Sequence, residues 1–153
     1  MLQLMEMGIT IEELFRYMSL MGIAYVLALP IGLNREMKAR GAGLRTFPIV
    51  AIAACAFLLV GRAVLPEGDP QARIMYGLMT GIGFIGGGAI IKGDHEVNGT
   101  ATAASIWATG AIGMAVAYQQ YAIAIVLSAA NFFTLYFGMS AKKELNCDHE
   151  EEC

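Results

Sequence analysis

VNGTATAASIWATGAIGMAVAYQQYAIAIVLSAANFFTLYFGMSA, residues 97–141, contains no charged side chain. A helix in water needs a polar face along its length, and this stretch offers none. A bilayer core about 30 Å thick is crossed by roughly 20 helical residues. The stretch therefore reads as two membrane helices, 100–118 and 121–140, joined at Gln119 and Gln120 by a very short hairpin. Tyr118 and Tyr121 flank that hairpin and suit the interfacial aromatic belt.

The same reading extends outward. Residues 47–61 and 74–91 are also free of charge. Thr10 with Glu13 three residues on forms a capping box that opens a first helix running through Pro30 to about Leu33. In a membrane helix a proline bends more often than it terminates, because neighbours satisfy the freed carbonyl. Spans of about 47–65 and 73–91 follow, giving an all-α polytopic bundle of five transmembrane helices. Residues 1–140 form one membrane domain and 141–153 a short acidic tail. Composition agrees: 57% of residues are hydrophobic and 15% charged, against about 25% charged in soluble domains. Acids at Glu6, Glu12 and Glu13 argue against a signal peptide. Orientation follows from Lys and Arg: Arg35, Lys38, Arg40, Arg45, Lys92, Lys142 and Lys143 fall on one side, Arg16, Arg62 and Arg73 on the other. The N-terminus is expected outside and the C-terminus in the cytosol.

Three readings compete for the glycine-rich stretch GLMTGIGFIGGG, residues 77–88. Gly81, Gly83 and Gly86 match a dinucleotide-binding spacing, but that pattern needs a preceding strand and a later acid; neither is present. Gly77/Gly81 and Gly83/Gly87 are GxxxG pairs that let helices approach closely. The third reading is a helix broken at residues 86–88, exposing backbone to a cavity or ion. The last two remain open together.

Polar groups at membrane depth are the remaining candidates. Arg16 either snorkels to headgroups or faces a polar cavity. Asn34, Arg35, Glu36, Arg45 and Thr46 gather at the inner mouth, where the bland reading is a basic anchor with Glu36 paired to a neighbouring base. Thr102 and Ser105 supply hydroxyls for interhelical hydrogen bonds. Asn131 is an amide deep in an apolar segment and needs a partner. Cys147, His149 and Cys153 are metal-ligand types whose spacing matches no defined zinc site. Without a catalytic pair, a P-loop or a basic aromatic patch, the chain offers no support for an enzyme, a cofactor or nucleic-acid binding. The glycine faces predict a homodimer or higher homo-oligomer, or a membrane-protein partner.

Several separated motifs now stand in order: IGLNRE at 31–36, AGLRT at 42–46, DP at 69–70, GIGFIGGG at 81–88, Lys92 and TAASIWA at 102–108. Together they resemble the membrane domain of the MgtC/SapB family of bacterial inner-membrane proteins. The resemblance implies a five-helix bundle linked to magnesium limitation, to virulence and, in some members, to the proton-driven ATP synthase. Members with an additional soluble C-terminal domain differ from this chain, which is expected to end in its acidic tail. The residues after Gly99, Thr-Ala-Thr-Ala-Ala, also depart from the family pattern. Two functions follow: a regulator of membrane energetics or ion transport acting through its helices, or a transporter whose polar cavity is lined by Arg16, residues 81–88 and Asn131.

Overall fold

A computed structural model describes residues 10–38, 42–93 and 97–150, with side chains for all of these except Lys38 and residues 139–150. The described residues form five α-helices: α1, Ile11–Lys38; α2, Thr46–Val64; α3, Asp69–Gly88; α4, Thr100–Ala117; and α5, Tyr121–Glu150. By length and apolarity, α1, α2, α4 and α5 can each cross a membrane. Helix α3 has a comparable 20 residues, but its six glycines and polar first turn dilute its hydropathy.

The capping box forms at the start of α1. The Glu13 N–H donates to Thr10 Oγ1 at 3.2 Å, and Glu13 Oε2 accepts from the Thr10 N–H at 3.2 Å. The helix continues through Pro30. Helix α2 starts at Thr46, with Pro48 in its first turn, where no intrahelical donor is needed. Helix α3 opens with Pro70 beside Asp69, again pre-set for a helix start.

Helix α4 is the centre of the bundle. It packs on all four other helices, while α3, α2, α1 and α5 follow one another around it. Its Ser105, Ile106, Thr109, Gly110, Ile112, Gly113, Val116 and Ala117 are all buried. A helix that is apolar around its whole circumference belongs in an interior. Small residues set the close spacing. A side chain at Gly113 would run into the Ala51 carbonyl of α2, so α2 and α4 touch backbone to side-chain-free backbone. Ala24, Ala28, Ala51 and Ala54 do the same on neighbouring faces. The outside is apolar instead of polar: Phe57, Val60, Tyr76, Phe84, Ile125 and Phe137 are exposed, Phe84 to 83%. That inversion is what hydrocarbon as solvent demands.

Two departures from the sequence reading concern the end where α3 stops and α4 begins. Helix α3 is not broken at its glycines; it runs unbroken to Gly88 and ends there. The Ala89 N–H bonds the Gly86 carbonyl and the Ile90 N–H bonds that of Gly87, a tightened i→i−3 last turn. Glycine leaves a helix at little cost, so the run terminates α3 there. Next, the polar link forms a small antiparallel ladder, β1 Ile91–Lys92 with β2 Val97–Asn98, in the register Ile91 to Asn98 and Lys92 to Val97. Gly99 then turns into α4 with φ +90°, and a Cβ there would strike the Ala89 carbonyl. Both conditions require glycine. Helix α5 also continues past the expected end of its span, to Glu150, because Ala, Lys, Glu and Leu after Gly138 are strong helix formers.

Candidate functional site

Successive helices run in alternating directions, so the end of α1, the start of α2, the end of α3 and the start of α4 share one face of the bundle. Arg35 lies on the last turn of α1, which brings it against the first turn of α4. Its Nη2 donates to Thr102 Oγ1. Arg35 is only 8% exposed, and its Nε is buried without a partner. Among the described residues no carboxylate pairs with it. The adjacent Asn34 is 2% exposed, and its Oδ1 is likewise unpartnered.

The electrostatics of this arrangement are unfavourable. Helix α4 has no side-chain cap and no acid in its first turn. Its N-terminus therefore presents unsatisfied N–H groups and the positive end of the helix dipole. A guanidinium, always charged, is buried against that same positive end.

One turn further along α4, Ser105 continues the polar track. Its hydroxyl donates to Asn131 Oδ1 at 3.0 Å, while Asn131 Nδ2 reaches the Ser105 carbonyl at 3.5 Å. The same carbonyl accepts from Thr109 Oγ1 at 2.7 Å. The deep amide thus finds its partners on α4. Ser128 of α5 donates to the Leu27 carbonyl of α1 at 2.6 Å. That carbonyl adjoins the Val26 carbonyl, which has no i→i−4 donor because Pro30 lacks an N–H. Sequence reasoning missed this contact; the signal was a hydroxyl one turn before Asn131 in an otherwise apolar run.

The residues expected at the inner mouth divide into distinct roles. Glu36 is exposed and accepts from the Leu44 N–H at 2.9 Å. The expected basic partner is replaced by backbone: the carboxylate sits at the N-terminal end of α2, where negative charge is favoured. Arg45 is exposed at the α2 start, Thr46 is half-buried, and Lys92 is exposed on β1. Of the glycine run, Gly86 packs on the Ala103 carbonyl, 3.1 Å from where its Cβ would stand; Gly77, Gly81, Gly83 and Gly87 have open space there.

Arg16 does not join this site. It lies 19 residues before Arg35 on α1, roughly 28 Å at 1.5 Å per residue. It is exposed, donates to Tyr17 Oη at 3.4 Å, and lines a small pocket of about 140 Å³ with Arg62 and Gln119. Arg62, counted in the sequence only toward orientation, donates to the Ala117 carbonyl at 2.6 Å, satisfying the negative end of α4. The cavity expected from Arg16, residues 81–88 and Asn131 is therefore not assembled, since these groups lie at different depths and on different helix faces. The metal-ligand candidates Cys147, His149 and Cys153 lie outside the described side chains. Among the described residues, no three of His, Cys, Asp and Glu come together.

The sequence model of the MgtC family matches residues 21–143. This chain belongs to the MgtC family. Among its relatives, "Putative magnesium transporter YhiD" of Escherichia coli K12 is 34% identical over 112 residues, 69% of this chain and 52% of that protein. Protein MgtC of Salmonella typhimurium is 34% identical over 122 residues, 77% of this chain and 52% of its own length. Protein SrpB of Synechococcus elongatus is 33% identical over 128 residues, 74% of this chain and 68% of that protein. The chain spans about half the length of YhiD and MgtC. No solved structure gives a significant match.

Proposed function

We propose that this MgtC-family bundle is a regulator of ion transport or membrane energetics under magnesium limitation, acting by lateral packing on a second polypeptide in the inner membrane. The observation that carries this reading is the unused packing surface of α3. Gly77 and Gly81 border a groove of about 480 Å³ against α2, floored by Val50, Ala53 and Ala54 and edged by Phe57. Gly83 and Gly87 lie open on the other side of the helix. Glycines spaced this way let two helices approach closely, and within one protomer none of these four is used. The occupant is a membrane partner or a second copy of this chain. The basic residues Arg35, Arg45 and Lys92 on one face support an N-outside, C-inside arrangement.

Gly81→Leu and Gly83→Leu test the reading, because the open space at each site lets the fold accept the larger residue. Crosslinking in native membranes is expected to recover the wild type with a second polypeptide or as a homodimer, and to lose that species in at least one variant. Recovery of the wild type as an uncrosslinked monomer at stoichiometric yield defeats the proposal.

Transport is the second reading, favoured by the name of YhiD and by the buried polar track. The charge balance weighs against a magnesium path through one protomer. Hard divalent cations need oxygen ligands, carboxylates above all. Here Glu12, Glu13, Glu36, Glu67 and Asp69 are all exposed, whereas the charge that is buried is the Arg35 cation. Magnesium flux into proteoliposomes above empty vesicles would reverse this order.

A further inference from the structure

We propose that the first turn of α4, with Arg35 beneath it, binds one phosphate-class oxyanion at the inner face of the membrane. The site deepens the regulatory reading by naming a ligand, yet it stands on its own geometry and is tested on purified protein alone.

Three observations converge. The first is a buried cation without a counter-charge among the described residues: Arg35 is 8% exposed, and its hydrogen-bond partner there is a neutral hydroxyl. Taking a guanidinium out of water is costly unless it is paired. The second is its location. The guanidinium abuts residue 102 at the start of α4, a helix end with neither a side-chain cap nor an acid. Such an end is itself a receptor for anions, because its N–H groups and dipole favour negative charge. Two positive elements held together without an anion repel each other; one anion between them satisfies both. The third is donor capacity. Arg35 Nε is buried and has nothing to donate to, although its fork geometry suits two oxygens at once.

Depth and access select the class of anion. Arg35 lies three residues before the end of α1, about 4.5 Å of helix, which is headgroup depth. Thr100 and Ala101, at the lip of α4, are exposed, as is Lys92 on the adjoining ladder. The opening therefore faces the inner aqueous boundary and is flanked by a further cation. A tetrahedral phosphate, with oxygens for the guanidinium, the Thr100 and Thr102 hydroxyls and the helix N–H groups, matches this donor set. Two sources carry that group there: free inorganic phosphate and the phosphodiester of an anionic inner-leaflet lipid.

The test uses the full chain purified in a phosphate-free maltoside detergent. In one arm, inorganic phosphate is titrated against chloride at matched ionic strength while the thermal midpoint is followed. In the other, phosphatidylglycerol is added and retained lipid is counted by native mass spectrometry. A midpoint rise with phosphate over chloride assigns the site to free phosphate; retention of one tightly held lipid assigns it to the headgroup. In either case Thr102→Val is expected to weaken binding roughly tenfold, the loss of one hydrogen bond to a charged group, and Arg35→Met to abolish it. Arg35→Lys keeps the charge without the fork and should bind at an intermediate level. Absence of both effects in the wild type overturns the proposal, as does phosphate acting no better than chloride or binding unchanged in both Thr102→Val and Arg35→Met. None of these outcomes depends on a protein partner, so failure here leaves the crosslinking result standing.

Discussion

Replacing Arg35 by methionine should make the empty protein more stable. The side chain carries a charge buried to 92% of its surface, the complement of its 8% exposure, with a single neutral partner. An arginine within the apolar part of a membrane helix costs about 2.5–3.5 kcal/mol at the helix centre. Arg35 lies nearer the end and incurs part of that. Against this, the charged hydrogen bond to Thr102 contributes about 1.5–3 kcal/mol, but some of it is recovered because the threonine hydroxyl can turn back to the carbonyl of the capping Gly99, three residues earlier. Methionine follows the same path with a flexible apolar stem, so the packing term is small. The repulsion between the guanidinium and the positive end of α4 also disappears, about 0.3–1 kcal/mol. The balance favours the variant by about 1 kcal/mol, or a rise of roughly 2–4 °C in thermal midpoint for a chain of this size. The assay is thermal unfolding in phosphate-free detergent, wild type beside variant. Adding the anion should then stabilise the wild type alone and close the gap. A variant that melts well below the wild type without any anion would mean that Arg35 already has a counter-charge, and the electrostatic reasoning would collapse.

Two more outcomes test the packing and the inner mouth. Gly113→Ala should be less stable than Gly22→Ala by about 1–3 kcal/mol of overpacking: both gain the same helix propensity, but only the first drives a methyl into the Ala51 carbonyl, while Gly22 faces open space. Equal midpoints would show that α2 and α4 are not held as closely as described. Glu36→Gln keeps an acceptor for the Leu44 N–H but removes the charge at the α2 end; a loss of about 0.3–1 kcal/mol that shrinks in high salt is expected, and an unchanged midpoint at low salt would deny the dipole contribution.

The helices themselves were legible because hydrocarbon imposes so blunt a rule. Uncharged runs of membrane length and the capping box at Thr10 and Glu13 could each be read from local chemistry. The end of α3 was misplaced for a local reason too: three consecutive glycines are compatible with a break, a close approach or a terminus, and only the packing of Gly86 on Ala103 decides among them. What joins the site was not legible. Arg35 and Thr102 lie 67 positions apart, and no periodicity reports which loop folds back on which. The central place of α4 left one trace, a span rich in Gly, Ala, Ser and Thr with no preferred face. The separation of Arg16 from Asn131 could have been foreseen by counting 1.5 Å per residue along each helix.

Helix α5 has 30 residues, about 45 Å at the standard rise, against a hydrocarbon layer of about 30 Å. Its last turns therefore extend up to about 15 Å beyond the hydrocarbon layer, and only the final turn passes the roughly 8 Å over which physiological salt lets surface charge be felt. Lys142, Lys143 and Glu144 lie within that distance and Asp148 and Glu150 beyond it, so the headgroups act on the base of this mast and leave its tip free. A spin label or fluorophore attached near residue 150 would register, magnified by the lever arm, any small rocking of the buried bundle.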